Sequence, residues 1–66
     1  MKLIVNGEPR EVPDDATVAS VVAAVTPATA GVAVALNDEV VRRAEWPSTP
    51  VRDADRLEVL TAVQGG

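Results

Sequence analysis

A chain of 66 residues with net charge −4 makes one small domain, of a size that buries only about 60% of its unfolded surface, so its core is thin. It contains no cysteine and no histidine, which excludes disulfides, thiolate nucleophiles, imidazole bases and the zinc sites built from them; no metal site is expected, and the acidic balance argues against a nucleic-acid partner. The apolar run Met1 to Val5 is cut at once by Asn6-Gly7, too short for a signal peptide, and no apolar stretch is long enough to span a bilayer; a cytoplasmic location without membrane contact is expected.

Lys2 to Val5 reads as a strand, with Met1, Leu3 and Val5 on its core face by the two-residue period. Asn6-Gly7 follows as a hairpin turn, since both residues tolerate positive φ. The return arm Arg10 to Val12 is short, and Pro9 lacks a ladder donor, which places that arm at a sheet edge.

Pro13 to Ala16 breaks the strand, and Thr17 caps a helix starting at Val18, with Asp14 and Asp15 expected near its positive end. Val18, Val21, Val22 and Val25 form one apolar stripe, and Thr26-Pro27 ends the helix. Valine is a modest helix former, so packing on a sheet must stabilise this helix more than propensity does.

Val32 to Leu36 reads as a central strand, with Val32, Val34 and Leu36 on one face and the small Ala33 and Ala35 leaving the other face flat. Asn37-Asp38 marks a turn, Glu39 to Val41 a short return, and Pro47 and Pro50 bracket an irregular stretch. Leu57 to Val63 is the last strand, with Leu57 and Val59 inward and Glu58, Leu60 and Ala62 outward. The result is an α+β chain, a mixed sheet with one helix packed across it, although local pattern alone does not decide which strands are neighbours.

The strand leads into Val63-Gln64-Gly65-Gly66. Two glycines can enter a channel too narrow for other residues, and the terminal acyl carbon is unhindered. The carboxylate becomes an electrophile once a partner converts it to an acyl adenylate with ATP. A frayed end is the plainer reading, and chance alone gives two terminal glycines in about 0.5% of chains. The expected division is a body of residues 1–62 and a flexible tail of residues 63–66.

Several other residues carry competing readings. Trp46, the only aromatic residue, fits either an interface anchor or, better, a plug packed under the irregular loop. Leu60, Ala33, Ala35 and Ala62 together form a candidate docking patch, against the alternative of ordinary scattered exposure. Arg42, Arg43, Arg52 and Arg56 suit a solvated surface better than an acidic partner. Asp53 and Asp55 read as turn residues rather than a cation site.

Taken together, Asn6-Gly7-Glu8, Thr17-Val18-Ala19, Val34 to Asn37, Val41, Arg43 to Trp46, Asp53, Asp55 and Val63 to Gly66 resemble the ubiquitin-like β-grasp sulfur carriers of the MoaD/ThiS family, and specifically its ThiS branch. The resemblance implies a ubiquitin-like β-grasp with four to five strands and one helix. It implies a carrier for thiamine thiazole biosynthesis that is a co-substrate and not an enzyme. An E1-like, ThiF-like enzyme would adenylate Gly66 with ATP, a sulfur donor system would convert it to a thiocarboxylate, and a ThiG-like thiazole synthase would receive the sulfur. Gly65 and Gln64 would belong to the part of the tail that enters partner active sites, and no cofactor would be bound by the chain itself. Two residues depart from the pattern: Arg42 stands where proline is common, and Ala54 where glycine is usual. Alanine in a left-handed turn is strained by about 1 kcal/mol, which points to another turn geometry. The alternatives are a MoaD-like carrier for molybdopterin, a ubiquitin-like modifier joined to lysines, and a binding module with a dispensable tail.

Overall fold

In a computed structural model, residues 1–28 and 30–61 are described. The first hairpin pairs β1 (Lys2–Val5) with β2 (Glu8–Glu11) in antiparallel register, Val5 opposite Glu8 and Lys2 opposite Glu11. Asn6 at φ 50° and Gly7 at φ 84° supply the two positive-φ positions that a two-residue hairpin turn requires. The return strand begins earlier than the expected Arg10, because the tight turn lets Glu8 pair immediately.

The helix α1 (Val18–Val25) begins at Thr17, whose Oγ1 accepts from the Ser20 amide while Ser20 Oγ accepts from the Thr17 amide, a reciprocal cap. Val18, Val21 and Val22 are buried and Val25 is half-buried, so the predicted stripe is the packed face. Asp14 does not serve the helix end. Its carboxylate, with that of Glu11, lies 3.2 Å from the Met1 ammonium, which also donates to the Val12 carbonyl. The full positive charge of the ammonium outcompetes the partial charge of a helix terminus.

The remaining strands are β3 (Val32–Leu36), β4 (Glu39–Val40) and β5 (Arg56–Thr61). Their order in the five-stranded mixed sheet is β2-β1-β5-β3-β4, with β1 and β5 parallel and the other pairs antiparallel. The last strand is therefore central. β3 is a central strand as expected, flanked by β5 and β4, while the parallel pairing of Ile4 with Arg56 and Val5 with Leu57 inserts β5 between the two hairpins and gives it the middle place. β2 is an edge as expected, with Pro9 opposite Ile4.

The stretch between β4 and β5 is more regular than its prolines suggest. Arg43–Ser48 forms a 3₁₀ helix that places Trp46 in the core at 7% exposure, with the indole N–H donating to the Val41 carbonyl at 2.9 Å. The plug reading of Trp46 holds. Beyond this helix, Val18 donates to the Thr49 carbonyl and Val51 to that of Ala16, tying the loop to the start of α1. Leu3, Val5, Val12, Ala16, Val18, Val21, Val22, Val34, Val51, Leu57 and Val59 complete the core. None of the helices among the described residues is long and apolar enough to cross a membrane.

The turn before β5 keeps its left-handed geometry, contrary to the expectation drawn from Ala54, which stands at φ 71°. Hydrogen bonds hold it: Asp53 Oδ1 accepts from the Lys2 amide at 2.8 Å, Ala54 donates to the Lys2 carbonyl at 2.7 Å, the Asp55 amide donates to the Arg52 carbonyl at 3.1 Å, and Asp55 Oδ2 accepts from the Arg52 amide at 2.8 Å. Both aspartates act as turn residues, as their sequence context indicates.

Candidate functional site

β5 is the strand from which the diglycine segment continues, and its two faces have different tasks. Leu57 and Val59 point inward and are buried at 0% and 6% exposure, so the strand is anchored through its side chains beneath α1. Glu58 and Leu60 point outward, as the two-residue period predicts, and Leu60 is 66% exposed.

An asparagine from each hairpin turn holds this strand along its main chain. At the N-terminal end, Asn37 donates its amide to the Arg56 carbonyl at 2.8 Å, and its Oδ1 accepts from the Arg56 amide at 2.9 Å. Its Nδ2 donates to Asp55 Oδ1. Nearer the tail, Asn6 donates its amide to the Leu57 carbonyl, its Oδ1 accepts from the Val59 amide at 2.8 Å, and its Nδ2 donates to the Val59 carbonyl at 3.2 Å. Asparagine suits both places because it tolerates the left-handed turn conformation and carries a donor and an acceptor, like a peptide group.

Register assembles an apolar patch on the outer sheet face. Leu60 lies opposite Ala33, Glu58 opposite Ala35, and Ala35 in turn opposite Val40. Leu60, Ala33 and Ala35 are thus brought together as expected. Val40, 78% exposed, joins them; the two-residue period identifies it only once the pairing of β4 with β3 is known. Ala62, Gln64, Gly65 and Gly66 lie outside the described residues.

The arginines that follow the second hairpin turn are exposed or engaged locally. Arg56 Nη2 meets Asp38 Oδ2 at 2.9 Å, and the Arg43 guanidinium lies 5.3 Å from the centre of the Trp46 ring. Arg42 and Arg52 are exposed. A hollow of ≈ 160 Å³ is lined by Ile4, Gly7, Asp38, Arg56, Leu57 and Glu58, smaller than the clefts of about 300–1,000 Å³ that enclose metabolites. What this region offers is an open, partly apolar sheet face, with Leu60, Ala33, Ala35 and Val40 beside the exposed Glu58, a surface suited to a macromolecular partner.

Comparison with known proteins agrees with this geometry. The ThiS family model matches residues 3–66. The sulfur carrier protein ThiS of Thermus thermophilus is 41% identical over 61 residues, which cover 92% of this chain and 94% of that one. The crystal structure of the thiamine biosynthesis protein ThiS from Geobacter metallireducens aligns with a TM-score of 0.81 and 38% identity over 100% of both chains. The solution NMR structure of a thiamine biosynthesis protein from the same organism gives 0.83 and 38% identity, covering 100% of this chain and 88% of that one.

Proposed function

The chain belongs to the ThiS family, and on that premise we propose that it carries sulfur for thiamine thiazole biosynthesis, bound to the carboxyl group of Gly66. The observation that carries this reading is the family match, which runs from the first strand through the diglycine. In the proposed cycle, a Gly66 carboxylate oxygen attacks the α-phosphorus of ATP on an E1-like, ThiF-like enzyme, and pyrophosphate leaves. A hydrosulfide equivalent from the donor system then displaces AMP, the acyl C–O bond breaking as the C–S bond forms, to leave a thiocarboxylate, whose sulfur passes to a ThiG-like thiazole synthase.

The chain has neither cysteine nor histidine to act as nucleophile or base, so its part in this cycle is that of a co-substrate. Gly65 would pass through the channel to each partner's active site, where the missing Cβ of glycine allows close approach, and Gln64 would lead into it. The patch of Leu60, Ala33, Ala35 and Val40 would dock on the adenylating enzyme, and Ala62 remains a docking candidate from the sequence alone. This reading places the protein in the cytoplasm, where ATP and the partner enzymes meet.

Intact mass of the protein from its native host tests the proposal. The expected result is a fraction heavier by the replacement of one oxygen with sulfur, mapping to Gly66. Deletion of Gly65 and Gly66 should abolish growth without added thiamine. Unchanged growth, or recovery of the chain only in amide linkage to lysines of other proteins, would overturn the proposal.

A further inference from the structure

We propose that Asn6 is a positioning residue for tail delivery, acting through Val59 to fix the point and direction from which the C-terminal segment leaves the body. The proposal rests on the reading of the Gly66 carboxyl as the reacting group.

The main chain of β1 pairs with β5 only at Ile4 with Arg56 and Val5 with Leu57, and then turns away through Asn6 and Gly7. The side of β5 that faces β1 would lose its partner after Leu57. The Asn6 carboxamide takes the place of the missing strand residue, satisfying both the amide and the carbonyl of Val59. Val59 also pairs with Val34 on the other side. It is thus the last residue of β5 that the described structure contacts from the β1 side, while Leu60 and Thr61 pair with Ala33 and Val32 of β3 alone.

Geometry makes that point matter. Fully extended, residues 60–66 reach at most about 23–25 Å. The point and direction from which the arm leaves therefore set the volume that Gly66 can reach, and a misplacement of about 1 Å at the reacting group can lower a rate by about 100-fold. A strand end held on one side only has more freedom to tilt than one held on both. Asn6 therefore governs turnover, while the outer face, which it does not touch through this contact, governs docking.

Asn6→Asp separates these effects. Aspartate preserves a turn sequence favourable to the hairpin and still accepts from the Val59 amide, but it cannot donate to the Val59 carbonyl. Pyrophosphate release from ATP is measured with the host's own adenylating enzyme and increasing carrier, at a temperature where circular dichroism shows the variant folded. The expected result is a kcat lower by about tenfold or more with KM within about twofold of the unmodified carrier. An unchanged kcat, or a raised KM alone, would overturn the positioning role. Absence of pyrophosphate release with the unmodified carrier would instead overturn the proposed function. Should the variant fail to fold, amide exchange on the unmodified protein decides: protection of the Val59 amide equal to that of buried strand amides supports the grip, and rapid exchange at Val59 overturns it.

Discussion

The indole N–H of Trp46 donates to the Val41 carbonyl at 2.9 Å, joining the 3₁₀ helix to the end of the second hairpin and closing the core beside α1. Trp46 is the largest side chain in this thin core. Trp46→Ala should cost about 3–5 kcal/mol, most of what a domain of this size possesses at about 0.05–0.15 kcal/mol per residue. Trp46→Phe keeps an aromatic ring but removes the donor, and should cost about 1–2 kcal/mol. Urea unfolding followed by circular dichroism checks both, and a Trp46→Ala variant as stable as the parent would contradict the assigned packing.

Ala54 stands at φ 71°, a conformation that costs a residue with a Cβ about 1–2 kcal/mol. Ala54→Gly should relieve that strain, less about 0.5–1 kcal/mol from the greater freedom of glycine in the unfolded chain. The net expectation is a gain of about 0.5 kcal/mol, or about 2–4 °C in Tm. Lower thermal stability in the variant would show that the Asp53 and Asp55 contacts already accommodate alanine without strain.

The pKa of the Met1 ammonium is raised above its ordinary value of 8.0 by its hydrogen bonds to the carboxylates of Glu11 and Asp14, opposed in part by burial. A group whose folded pKa is raised stabilises the fold below its unfolded value and loses that contribution as pH rises through the folded one. Tm should therefore fall as pH is taken from 7 to above the folded pKa of the amine. Acetylating the amine, or combining Glu11→Gln with Asp14→Asn, should flatten this alkaline part of the profile. An equally steep fall in the acetylated protein would assign it to other groups.

The outer-face patch predicts a change in binding without a change in folding. Leu60 and Val40 are 66% and 78% exposed, so Leu60→Ser and Val40→Ser should alter stability by no more than about 0.5 kcal/mol. If the patch docks the adenylating enzyme, each should raise KM for the carrier about fivefold to tenfold, the range of a contact worth about 1 kcal/mol. Unchanged KM in both variants would remove the patch from the docking surface.

Much of the local structure is decided by the sequence alone, because its signals lie within a few residues of one another. Thr17 caps the helix, the valine stripe sets its buried face, and Asn6-Gly7 supplies the positive φ values of a tight turn. The alternation of Leu57 and Val59 with Glu58 and Leu60 divides the last strand into two faces. The family-matched diglycine is likewise a property of the chain as written.

Tertiary structure decides what depends on residues distant in the chain. The central position of β5 follows from its parallel pairing with β1, more than 50 positions earlier in sequence at Ile4 and Arg56, and no local periodicity encodes that choice. The same long-range pairing brings the Asn6 carboxamide to Val59, while the hairpin register of β3 with β4 brings Val40 into the outer patch and the Met1 ammonium holds Asp14. The 3₁₀ helix escapes sequence reading because Pro47 interrupts the usual helical pattern, while burial of Trp46 against the rest of the core makes the short turn stable. Short-range hydrogen bonding and side-chain period specify each element, whereas the shared burial of their apolar faces selects the arrangement in which β5 presents its C-terminal end.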